Sequence, residues 1–152
     1  MYTWLVFVHL VGLVIFAVAH GASVFMAFRI RTDRDPKVVA SHLAGSGTAI
    51  GPMYLGLLLL GIGGIGAAWD ANLLLAPWVV ASYVVLIVVV AAMYAMATRY
   101  YQQVRALVGD GSGPVDQQAL DAVLDTRRPE LLVTVGVVGL VVLVWLMVLK
   151  PG

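Results

Sequence analysis

The chain has 152 residues, of which 62% are hydrophobic and 11% charged, with a formal net charge of +1 and a mean hydropathy of +0.99. No soluble domain of this length needs that much apolar surface for its core, and near-neutral charge leaves no nucleic-acid footprint. The absence of cysteine excludes disulfides, thiolate metal sites and cysteine nucleophiles.

A membrane-spanning helix takes about 20 mainly apolar residues, and four charge-free stretches of that kind occur. The first covers residues 4–28 and ends at Arg29. "AVA" at residues 17–19 has the small-x-small look of a signal cleavage site, but no positive segment precedes it and the apolar run continues past it, so a retained helix is expected. His9 and His20 lie inside this helix. Eleven residues apart, they sit about 20° apart around the helix and about 16 Å apart along it, so they share one face. Gly12, Phe16, Ser23 and Ala27 fall on or near the same stripe, a mix of small and polar residues suited to a bundle interior.

In the polar stretch "RIRTDRDPKVVASH", Asp35-Pro36 reads as a helix cap followed by the first helical position, so the second helix begins near Pro36 and carries His42 before entering the bilayer. If the hairpin turns near Asp33, His20 lies opposite Ser46 and about 6 Å axially from His42. The second span, residues 48–69, is rich in glycine: Gly51, Gly56, Gly61, Gly63, Gly64 and Gly66, preceded by Gly45 and Gly47. Such residues let backbones approach closely, Gly47 and Gly51 having the four-residue spacing that favours contact. They equally make room for a flat cofactor.

After the short "DANLLLAPW" turn comes the third span, residues 76–98, with Met93, Met96 and Tyr100 along one stripe. Methionines at helical spacing commonly belong to ordinary core, though together with Met53 they are also soft ligands. "GDGSGP" then breaks the chain, "VDQQALDAVLD" suggests a short amphipathic helix through Leu120, Val123 and Leu124, and Pro129 restarts the chain as the fourth span, residues 131–149.

Basic residues cluster in the first connection (29–47) and the third (99–130), whereas the second has Asp70 and the C-terminus only Lys150. By the positive-inside rule these two connections are cytoplasmic and both termini face outward. Trp4, Trp69, Trp78 and Trp145 all fall on that outer side, as indole's interfacial preference predicts, and Tyr100 and Tyr101 mark the inner one. The expected fold is therefore all-α: one integral membrane domain over residues 1–152, a left-handed four-transmembrane-helix up-down bundle in the cell membrane. No Asp or Glu lies in a span and no mid-span proline breaks one, which argues against ion-coupled transport. No nucleophile with a base, carboxylate pair or phosphate loop is present.

An ionisable side chain in a span is costly without a partner. Each histidine either hydrogen-bonds a neighbouring helix and fixes packing, or ligates a b-type haem with a second ligand across the ring. His9 and His20 are the metal-ligand candidates, with His42 ranked ahead of Met93 as the further cofactor contact.

"WLVFVHLVG" at the start of the first helix, Arg29 at its inner end and the closing "WLMVLKPG" resemble the four-helix membrane family grouped near the copper-resistance protein CopD and the HemJ type of protoporphyrinogen oxidase. The resemblance covers nearly the whole chain. It implies haem b or metal binding, with His9 as leading ligand beside Gly12, and matches Lys150 to the family's terminal Lys-Pro. The tryptophan that HemJ-type proteins carry after His-x-x-Gly is Phe16 here, and their histidine just past the first helix is missing; both depart from HemJ-type enzymatic activity. Three readings follow: a haem-b protein passing electrons to a quinone or partner subunit, a non-catalytic accessory or scaffold subunit with structural histidines, and copper handling.

Overall fold

The computed structural model describes residues 1–151. It is all-helical: α1 (Tyr2–Thr32), α2 (Pro36–Thr48), α3 (Ile50–Asp70), α4 (Pro77–Val108), α5 (Gln117–Leu124) and α6 (Arg128–Leu149). Four helical stretches, with α2 running into α3 and α5 leading into α6, are long and apolar enough to cross a membrane. The 31 residues of α1 reach about 46 Å, well beyond a hydrocarbon core of about 30 Å, so α1 projects from the bilayer or tilts within it.

The helix starts follow local chemistry. Asp35 accepts a hydrogen bond from Lys37 N at 2.9 Å and Pro36 opens α2; Asp116 accepts one from Ala119 N at 3.0 Å to start α5. Each carboxylate satisfies one of the amides a helix leaves unpaired at its beginning. The second span, expected from residue 48, is interrupted at its start. Pro52, in the first turn of α3, has no N–H and its ring crowds the carbonyl four residues back, that of Thr48. The helix interrupts at Ala49, whose N–H turns to Ser46 O at 3.2 Å, and Thr48 Oγ1 donates to Gly45 O at 2.7 Å.

The helices pair as two hairpins, α1 against α3 and α4 against α6, which touch each other only sparsely. The first hairpin is held backbone to backbone. A Cβ on Gly12 would lie 2.3 Å from Leu60 N, one on Gly56 would lie 2.4 Å from Phe16 N, and one on Gly63 would lie 2.5 Å from His9 N. Only glycine permits that approach. Gly47 and Gly51, whose spacing suggested contact, face open space, as does Gly61; the packing stripe is one rotated around the helix from them. In the second hairpin Val89 sits on Gly139, where an added Cβ would come within 2.7 Å of it.

Met1, the α3–α4 turn and Lys150 share one end of the bundle. The Met1 amine is 3.8 Å from an Asp70 carboxylate oxygen and Lys150 Nζ lies 5.6 Å from the Trp78 ring centroid. The opposite end is capped by a small buried core of Ile30, Val39, Leu43, Tyr100, Val104, Val108, Leu120 and Leu124. Tyr100 lies buried in this core, at the end opposite the four tryptophans. α5 is clasped from outside: Arg34 donates to Asp121 at 3.0 Å and Asp125 at 2.7 Å. Those hydrogen bonds, Asp125 foremost, raise the guanidinium pKa above its usual value. Gly111 (φ +80) passes so close to α2 that a Cβ would meet Lys37 Cα at 2.8 Å, tying the glycine-rich loop to this cap.

Candidate functional site

The two hairpins leave a cavity of about 340 Å³ between them toward the capped end, bordered by α1, α2, α3, α4 and α6. Its walls are mainly apolar. Into it come His20 and Phe16 from α1, Met53 and Tyr54 from α3, and Met93 and Tyr94 from α4, with Gln102 and Arg105 farther along α4. Its size falls in the range of small-molecule sites, about 300–1,000 Å³.

His20 is placed by two neighbours. Its ring lies parallel to that of Phe16, four residues earlier on the same helix, with centroids 5.5 Å apart and an interplanar angle of 2°. Its Nε2 points toward α6, 3.4 Å from where a Cβ of Gly136 would be, and Met93 Sδ is 3.5 Å from that same point. Imidazole nitrogen and thioether sulfur therefore converge over a glycine that leaves them room. Among the described residues His20 partly buried has no hydrogen-bond partner of the kind the other two histidines have. One turn on, Ser23 Oγ and Ser46 Oγ are 3.1 Å apart across α1 and α2, both lining the cavity. The reading that put Ser46 opposite His20 is off by that single turn.

His9 and His42 lie outside the cavity. His9 Nδ1 donates to the carbonyl of Leu60 at 2.7 Å. A carbonyl can only accept, so Nδ1 carries the hydrogen in this contact. The contact depends on Gly64, where a Cβ would come within 2.9 Å of His9 Nδ1. Gly12, on the same stripe, has its open face filled by the α3 backbone. His42 Nε2 is 2.8 Å from an Asp33 carboxylate oxygen, and Asp33 also pairs with Arg29 at 3.3 Å. This cluster staples the α1–α2 turn. Of the methionines, Met53 and Met93 reach the cavity and Met96 does not.

Gly136 and Arg105 were not singled out from the sequence. Gly136 has a signal of sorts, a small residue three before Gly139 within the locally β-branched run of residues 133–138, but only the neighbouring side chains reveal its use. Among the described residues no three His, Asp or Glu side chains converge as a metal-ligand cluster. No family model, curated protein or solved structure matches this chain.

Proposed function

We propose that this chain is a multi-pass plasma-membrane protein that binds b-type haem in the cavity between its hairpins, where His20 and Met93 would hold the iron. The observation that carries this reading is the convergence of His20 Nε2 and Met93 Sδ beside Gly136, in an apolar cavity where His20 has no protein partner. An unpartnered imidazole within a span is expensive unless something else engages it, and His with Met is an established haem ligand pair. Haem bound there supplies one-electron redox chemistry, with a quinone from the bilayer or a partner subunit as the electron partner.

The chain's own groups divide the work. Phe16 stacks on the imidazole, Gly136 leaves the space beside its Nε2 free of a side chain, and the cavity walls around His20 and Met93 are mainly apolar. Gln102 and Arg105, at the capped end of the cavity, supply donors for an acidic substituent. The concentration of Arg and Lys at the capped end supports a cytoplasmic position for it, with both termini outside.

A second reading, a scaffold subunit with structural histidines, is favoured by the protein partners of His9 and His42. Titration of haem b into detergent-purified apoprotein separates the two. Haem binding predicts a Soret band that saturates at one haem per chain and is lost in His20→Ala and weakened in Met93→Leu. A featureless titration overturns it, and one copper per chain in its place assigns His20 and the two methionines to copper.

A further inference from the structure

The capped end carries a second, separate feature. A recess of about 420 Å³ lies on the outside of the α4–α6 hairpin, lined by Arg99, Gln102, Gln103, Ala106 and Arg128. The four α4 residues follow i, i+3, i+4, i+7 spacing and so form one face of that helix. Arg128 reaches it from the start of α6, donating to Gln103 Oε1 at 2.9 Å, which holds its guanidinium over α4.

Two arginines share this recess, and the acidic groups nearby are engaged elsewhere. Asp33 pairs with Arg29 and His42, Glu130 with Arg31, and Asp121 and Asp125 with Arg34. Among the described residues Arg99 and Arg128 have no carboxylate partner. Like charges gathered without a counter-ion are stable when an anion lies between them. The level of the recess identifies the kind of anion. Arg99 directly follows the apolar run of α4 and Arg128 precedes that of α6 by one turn, the level at which a bilayer around those runs would end. Below them the surface turns apolar and accessible: Ala91 and Ala95 on α4 are exposed, and Leu131 and Val138 on α6 are 54% and 56% exposed.

We infer that this recess binds the phosphodiester of an anionic phospholipid, with Arg99 and Arg128 on the phosphate, Gln102 and Gln103 as neutral donors, and an acyl chain lying along the outer face of α4 and α6. Basic pockets between spanning helices are known headgroup sites. The two arginines that carry this inference do not line the cavity, which shares only Gln102 with the recess.

The test uses the full chain in a neutral detergent, titrated with phosphatidylglycerol or phosphatidylcholine, with bound lipid counted by native mass spectrometry. The wild type is expected to retain one phosphatidylglycerol in preference to phosphatidylcholine. Each arginine near an anionic lipid is worth about fivefold, so Arg99→Gln with Arg128→Gln weakens phosphatidylglycerol binding about thirtyfold and leaves phosphatidylcholine unchanged. Arg127→Gln removes an adjacent charge that does not line the recess and is expected to keep wild-type binding. Equal binding of the two lipids, or an equal loss in Arg127→Gln, overturns the site. Displacement of the lipid by equimolar glycerol 3-phosphate assigns the recess to a free phosphate and overturns the lipid.

Discussion

Replacing Gly56 by alanine places a methyl group where α1 leaves no space. Its carbon would lie 2.4 Å from Phe16 N, 2.8 Å from Phe16 Cα and 2.9 Å from Gly12 O, and every one of those atoms is backbone. No rotamer change relieves such a clash, so α1 and α3 must move apart by about 1 Å, at a cost of about 1–3 kcal/mol for overpacking. Separation also stretches the 2.7 Å bond from His9 to Leu60, and polar contacts of this kind within membranes contribute about 0.6–1.7 kcal/mol. The sum is about 2–5 kcal/mol of lost stability. Gly61→Ala is the matched control, five residues along the same helix with nothing within 4 Å of its added carbon; there alanine gains up to about 1 kcal/mol of helix propensity. Reversible unfolding in mixed micelles, by titration with a denaturing detergent, measures both. Opposite signs are expected, and equal stabilities for the two variants would refute the close approach of α1 and α3.

Three further outcomes follow from the same structure. His9→Leu removes the donor to Leu60 and lowers unfolding stability by about 0.6–1.7 kcal/mol while leaving the ligand-binding spectrum unchanged. Leu124→Ala opens a hole in the fully buried cap core and costs about 2–5 kcal/mol, seen in the same unfolding titration. Arg34→Ala releases α5 from its clasp on Asp121 and Asp125; amide exchange in α5 accelerates, and high salt reproduces part of the effect in the wild type because the pairs are exposed.

Much of the fold is legible because it is specified locally. Spans declare themselves by apolar length, Asp35 and Asp116 cap the helices they precede, and the four tryptophans gather at one end because their helices alternate in direction. What depends on a neighbour is not legible in this way. Eight glycines in and before α3 have the same chemistry, yet only the rotation of α3 against α1 decides that Gly56 and Gly63 are packed while Gly47, Gly51 and Gly61 are open. His9 and His20 share a helical face, as their spacing requires, but meet different environments along it. At the level of His9 the glycine-lined α3 backbone closes in and presents a carbonyl; at the level of His20 the hairpins part and leave a cavity. A backbone carbonyl has no residue signature, so periodicity alone could not separate the two histidines. Pro52 was legible in principle, since a proline in the first turn of a span disturbs the carbonyl four residues back.

The most direct measurement is the dithionite-reduced minus air-oxidised optical spectrum of membranes containing the wild type, His20→Ala and His9→Ala, expressed at equal levels with ample haem. A b-type signal in the wild type and in His9→Ala that disappears in His20→Ala is expected. A signal that survives loss of His20 and vanishes with His9 would contradict the placement of haem in the cavity.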